Sequence, residues 1–181
     1  MKNTIRKIYL EKRKFLDDKD LKQKSEKIWE QILNTKEFQV CENVFIFLSL
    51  EKEIYTKNFI LKCFEKNKAV CVPIVKGKRK MEFSKIENFN NLKANKYGIL
   101  EPIFENIVNS NKNTLIIVPA LVYSLNKYRI GYGGGFYDIY LKENEKLASF
   151  GICLDQFILK KIDVEKYDEK VDFVFTESRC F

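Results

Sequence analysis

The chain has 181 residues, 45% of them hydrophobic and 14% aromatic, enough for one domain whose folding buries roughly 70% of the unfolded surface. It has no histidine, which removes the commonest general base, the usual nucleophilic triad and most transition-metal sites; chemistry must use carboxylates, cations, backbone dipoles and a borrowed metal. The formal charge of +8 admits either a nucleic-acid binder or an enzyme for polyanionic small molecules and decides nothing alone.

Five scattered cysteines, Cys41, Cys63, Cys71, Cys153 and Cys180, lack C-x-x-C spacing, so reduced thiols are expected in place of zinc or disulfides. No run approaches the roughly 18 apolar residues of a membrane span, and the charged start is unlike a signal peptide. A cytoplasmic protein is expected.

Taken in order, Ile5, Ile8, Tyr9, Phe15 and Leu16 form an imperfect helical stripe over 2–16. Lys2 and Arg6, four apart, share one side of that helix and could grip a triphosphate together; a solvated basic face is the plainer reading. Asp17, Asp18 and Asp20 are candidate caps for a second helix with Leu21, Ser25, Ile28, Trp29, Ile32 and Leu33 at helical spacing. Residues 44–50 are continuously apolar, as an interior strand of a mainly parallel sheet is. Leu48 and Glu53 stand near its carboxyl end, where open α/β sheets bind ligands, although Glu53 could simply start a helix. A helix over 56–66, a strand over 69–75, a turn at 77–80 and a strand exposed on one side over 81–86 follow. Residues 88–95 read as an asparagine-rich surface loop, and 97–102 as a turn shaped by Gly98 and Pro102.

The densest signal is Arg129-Ile130-Gly131-Tyr132-Gly133-Gly134-Gly135-Phe136-Tyr137-Asp138, which holds four of the chain's 7 glycines. It lies between a buried strand at 115–119 and a helical pattern at 137–142. So much glycine implies a backbone that turns sharply or lets a ligand approach, and amides beside a helix start suit phosphate. Neither the Gly-Lys-Ser/Thr ending of a P-loop nor the glycine spacing of a dinucleotide turn is present. A carboxylate at Asp138 would repel phosphate unless a cation such as Mg²⁺ lay between them; alternatively it caps the helix. Further strands are expected at 148–154 and 171–175, joined by a charged segment with Asp163, Glu165, Asp168 and Glu169 that composition alone reads as a solvated loop. With no repeat or linker visible, residues 1–181 make one domain.

The glycine segment resembles the signature of the 5-formyltetrahydrofolate cyclo-ligase family. Other matches follow in the family's order: Lys2 with Arg6; Phe47-Leu48-Ser49 with Glu53-Ile54 and Thr56; Tyr97-Gly98-Ile99 with Glu101-Pro102; and Asp168 with Val171-Asp172. The resemblance implies a three-layer α/β/α fold with an open, mainly parallel sheet of the NagB/RpiA/CoA-transferase type. It also implies cyclisation of 5-formyltetrahydrofolate to 5,10-methenyltetrahydrofolate with ATP as co-substrate and Mg²⁺ as cofactor. By the same resemblance Lys2, Arg6, Arg129, Ile130, Gly131, Tyr132, Gly133, Gly134, Gly135, Phe136 and Tyr137 bind ATP. Leu48, Glu53, Tyr132, Gly133, Gly134, Gly135 and Phe136 contact the folate, Asp138 and Asp168 hold the metal, and Arg129 and Tyr137 are catalytic. The partners implied are these small molecules, with a monomeric protein and neither membrane nor nucleic acid. The rival class, an RNA-binding module, rests on the net charge and would not need the Asp138 and Asp168 pair. Two departures stand out: Ser124-Leu125-Asn126-Lys127-Tyr128 lacks the acidic residue and glycine frequent in the family, and some members carry lysine where Gly134 stands.

Overall fold

The computed structural model describes residues 1–77, 79–95 and 98–181. Helices α1 (Lys2–Lys14), α2 (Asp18–Leu33) and α3 (Lys36–Val40) precede strand β1 (Asn43–Phe45), and α4 (Lys57–Glu65) carries the chain to β2 (Ala69–Gly77) and β3 (Lys80–Ile86). A hairpin of β4 (Leu92–Ala94) and β5 (Leu100–Pro102) follows, then β6 (Thr114–Pro119), β7 (Val122–Ser124), β8 (Arg129–Ile130) and α5 (Phe136–Glu143). Next come β9 (Ala148–Ile152), a 3₁₀ turn at Asp155–Phe157, β10 (Ile158–Leu159) and β11 (Phe173–Phe175).

Six strands form the central sheet in the order β11-β9-β6-β1-β2-β3, parallel throughout except for the antiparallel β2–β3 pair. This is the mainly parallel α/β sheet expected. Trp29 of α2 stacks on Phe59 of α4 with ring centroids 4.3 Å apart, and Phe38 of α3 joins them; Tyr140 of α5 packs edge-on against Phe83 of β3. From β1 the chain passes through α4 to β2 on one side, and only later returns to lay β6 on the other. Such a reversal opens a crevice at the carboxyl ends of the two strands.

Several local expectations change. The run at 44–50 leaves the ladder after Phe45, although Ile46 still donates to the Cys71 carbonyl at 2.9 Å. Pro73 shares Cys71's side of β2, so its nitrogen faces β1 with no hydrogen to give. β3 is buried more fully than one-sided exposure implies, because residues 106–108 cover it through Lys85 N–H to Asn106 O and Val108 N–H to Phe83 O. Part of the asparagine-rich loop forms β4; Tyr97, in the turn expected there, lies outside the described residues. α1 buries Tyr9 and half-buries Lys2, Ile5, Arg6 and Arg13, with Leu16 half-buried just beyond it, while Ile8 and Phe15 of the expected stripe are exposed. Asp17 is the cap of α2, accepting from Asp20 N–H at 2.8 Å. All five cysteines are free thiols.

Candidate active site

The crevice at the ends of β1 and β6 holds a pocket of about 790 Å³, lined by Phe47, Leu48 and Pro119 from those strand ends, by α1 and by the glycine loop. That volume suits a drug-sized or nucleotide-sized ligand. No helix among the described residues is long and apolar enough to cross a membrane.

The loop after β1 carries Glu53 and is closed by its own polar residues: Ser49 N–H donates to Thr56 Oγ1 at 3.1 Å and Thr56 N–H to Ser49 Oγ at 3.3 Å. Ser25 of α2 accepts from Tyr55 N–H at 3.0 Å, which explains a serine on an otherwise apolar helix face. Glu53 is thereby held 4% exposed. Its Oε2 accepts from Leu50 N–H at 2.9 Å, and its Oε1 faces Arg13 Nη1 at 3.3 Å and accepts from the Tyr132 hydroxyl. Beside it, Leu48 lines the pocket.

Across the pocket, the glycine loop joins β8 to α5. Gly133 (φ +102°) and Gly135 (φ +69°) occupy left-handed backbone, which L side chains adopt only with strain. At Gly134 the constraint is space: a Cβ there would lie 2.5 Å from the Phe136 ring, so the aromatic fills the volume a lysine would need. Arg6 lies against Gly133 and donates from Nε to the Gly131 carbonyl at 2.9 Å.

Arg129, 8% exposed, donates from Nη2 to Asp138 Oδ1 at 2.8 Å and from Nη1 to the Glu169 carbonyl at 2.7 Å. Glu169 N–H also donates to Asp138 Oδ1, at 3.1 Å. This pins the 165–169 segment against α5 and sets Asp168 on the same wall. Asp168 accepts from Lys2 Nζ and from Glu165 N–H, and Lys2 also reaches Glu165 at 3.3 Å. The solvated-loop and solvated-face readings of Asp168, Lys2 and Arg6 therefore do not hold. Tyr137 is half-buried, but its hydroxyl is buried and has no hydrogen-bond partner among the described residues; burial, with the Glu53 charge adding, pushes its ionisation upward against the pull of Arg129. The Tyr132 hydroxyl is pushed up by burial of its tip and then by Glu53.

Asp138 and Asp168 can be tested as a metal pair. Among the described residues no group of three or more His, Cys, Asp or Glu is clustered for a metal, so the protein would supply two carboxylates and leave the other positions to phosphate and water. Mg²⁺ at nucleotide sites is bound in that way. Each carboxylate keeps one oxygen, Oδ2 of Asp138 and Oδ1 of Asp168, without a hydrogen bond among the described residues, so the donor set fits.

Of the residues singled out in the sequence, Lys2, Arg6, Leu48, Glu53, Arg129, Gly131, Tyr132, Gly133, Gly134, Gly135, Phe136, Tyr137, Asp138 and Asp168 all line this one pocket. Ile130 does not: it is 1% exposed behind the wall, its carbonyl accepting from Leu121 N–H at 2.9 Å. Arg13 was not singled out. Positions 2, 6, 9 and 13 recur at helical spacing on one face of α1, but no hydrophobic stripe marks that face as the inward one.

The mainly parallel sheet and its switch-point pocket define a class, α/β proteins that take small ligands beyond the carboxyl ends of their strands. Residues 1–177 match the 5-formyltetrahydrofolate cyclo-ligase family, and the chain belongs to it. It is 30% identical to the probable 5-formyltetrahydrofolate cyclo-ligase of Schizosaccharomyces pombe, over 98% of this chain and 96% of that relative. The Haemophilus influenzae 5-formyltetrahydrofolate cyclo-ligase is 26% identical over 81% of each. Among solved structures, the 5,10-methenyltetrahydrofolate synthetase of Aquifex aeolicus superposes with a TM-score of 0.87 at 26% identity, over 99% of this chain and 91% of that one. The Mycoplasma pneumoniae synthetase, at 18% identity and TM-score 0.78 over 97% and 98%, shares the fold.

Proposed function

We propose that the chain cyclises 5-formyltetrahydrofolate to 5,10-methenyltetrahydrofolate at the expense of ATP, releasing ADP and phosphate. The observation that carries this reading is one pocket in which a glycine loop with two left-handed residues, flanked by Arg6, Arg129 and two carboxylates, faces the buried Glu53 across Tyr132.

The chemistry accounts for the need for ATP. A formyl group on N5 is amide-like, and its oxygen leaves poorly. Transfer of the terminal phosphoryl to that oxygen makes a good leaving group; N10 then attacks the formyl carbon, loses its proton, and phosphate departs with the former formyl oxygen. Such transfer asks for alignment and charge neutralisation more than for a strong base, which suits a chain without histidine. Gly133, Gly134 and Gly135 present backbone to the phosphates, and Lys2, Arg6 and Arg129 offset their charge. Mg²⁺ held by Asp138 and Asp168 would neutralise and orient the phosphates. Glu53 accepts from pterin N–H groups beside Leu48, with Tyr132 and Phe136 lining the same end. The Tyr137 hydroxyl, buried and without a partner among the described residues, is placed to hydrogen-bond an oxygen that gains charge during transfer.

The test is methenyl-folate absorbance with purified protein and 5-formyltetrahydrofolate. Product is expected only when ATP and Mg²⁺ are both present; formation without ATP, or none with both, refutes the reading.

A further inference from the structure

Arg13 sits one α1 turn beyond Tyr9, on the face that carries Lys2 and Arg6, with only 12% of its side chain exposed. Its guanidinium meets three other parts of the chain. Nη1 faces Glu53 Oε1 at 3.3 Å and donates to the Tyr132 hydroxyl, Nη2 donates to the Ala120 carbonyl at 3.4 Å after β6, and the group lies 6.0 Å from the centre of the Tyr132 ring. Among the described residues, no other cation pairs with Glu53.

Three of the roughly four acceptor sites of the Glu53 carboxylate are filled, both of those on Oε1 and one on Oε2. Oε2 is taken by Leu50 N–H, and Oε1 by Arg13 and Tyr132. A ligand that offers a pair of N–H groups, one to each oxygen, finds Oε1 already filled and must displace a donor there. Leu50 N–H belongs to the turn that carries Glu53, and Arg13 is held by the Ala120 carbonyl. The Tyr132 side chain, 54% exposed and hinged between Gly131 and Gly133, is the free one. We propose that Arg13 is a positioning residue for the folate end of the site: it holds the Glu53 carboxylate in place and aimed while Tyr132 exchanges its place for the pterin.

The proposal rests on Glu53 as the folate-binding carboxylate. Lysine could keep the charge but would lose the planar fork that spans Glu53, Tyr132 and Ala120. Glutamine would remove the charge and leave a buried carboxylate without its cation.

The experiment compares wild type, Arg13→Lys and Arg13→Gln by steady-state KM for 5-formyltetrahydrofolate and for ATP, by folate binding without ATP, and by thermal melting. Arg13→Gln is expected to raise the folate KM and Kd by roughly tenfold or more while the ATP KM stays within about twofold. Arg13→Lys should recover part of the loss. If Arg13→Gln does not fold, Arg13→Lys must still show the selective rise in folate KM. Equal effects on both substrates, or an unchanged folate KM in a folded variant, overturn the proposal. A wild-type chain that makes no methenyl product refutes the underlying function instead, an outcome visible before any variant is compared.

Discussion

The pocket has two walls that meet a ligand by different physics. On the side of α1, the glycine loop and residues 165–168, each charge already has an internal partner: Lys2 with Asp168, Arg129 with Asp138, Arg6 with the Gly131 carbonyl. A ligand there must exchange partners, and because these side chains are mostly shielded, stranding one costs about 3–5 kcal/mol. Beside Glu53, Arg79 and Glu101, the opposite side carries Leu48, Val75, Met81 and Leu100, whose side chains offer nothing to exchange, and contact with them adds about 25 cal/mol for each Å² removed from water. The polar wall should therefore be intolerant of single-atom changes, and the apolar wall forgiving wherever volume is kept.

Asp138→Asn tests the intolerant side most severely. Its Oδ1 can still accept from Arg129 and from Glu169 N–H, so the fold should persist, at a lower melting temperature because Arg129 loses its counter-charge, while the charge available to a metal is gone. Turnover is expected to fall by roughly two orders of magnitude or more, comparable to deleting a transition-state contact. Steady-state kinetics across a magnesium titration provide the check, and unchanged kinetics would remove Asp138 from the metal site.

Gly134→Ala should come next. The new Cβ would start 2.5 Å from the Phe136 ring, so the ring must swing and drag the loop with it; a loss of turnover on the order of tenfold is expected from such misalignment. Gly135→Ala separates steric from conformational cost. Nothing lies within 4 Å of its Cβ but its φ is +69°, so it should cost about 1–2 kcal/mol of backbone strain, seen as a lower melting temperature. Equal behaviour of the two variants would remove the ring contact as the explanation.

The same contrast explains what could be read from the residues in order. The glycine loop was legible because its whole chemistry lies within 129–138. The inward face of α1 was not: hydrophobic periodicity favoured Ile8 and Phe15, whereas the buried face carries Lys2, Arg6 and Arg13, whose long stems pack while their charges find partners in the pocket. The early end of β1 depends on Pro73 in a neighbouring strand, and the Arg13 contact to Glu53 crosses 40 positions. Neither leaves a local trace. The two- and three-residue strands β7, β8 and β10 are too short to show a period. Asp168 looked like any acid in a charged loop; only the family's order of motifs distinguished it from Asp163, Glu165 and Glu169.

Leu48 probes the forgiving wall and should give the smallest effect. Methionine keeps the volume and adds no polar atom, and volume-conserving exchanges of this kind usually cost less than about 1.5 kcal/mol. Leu48→Met is therefore expected to leave the folate KM within roughly tenfold of wild type and the ATP KM unchanged. Leu48→Ala removes contact area without touching a charge, so the folate KM should rise further while the ATP KM again stays put. Measuring both constants for both variants decides the matter: an ATP KM that moves with the folate KM would mean that the two walls are mechanically one. The contrast would then have to be recast as a single network running through Tyr132, which touches Glu53 on one side and belongs to the glycine loop on the other.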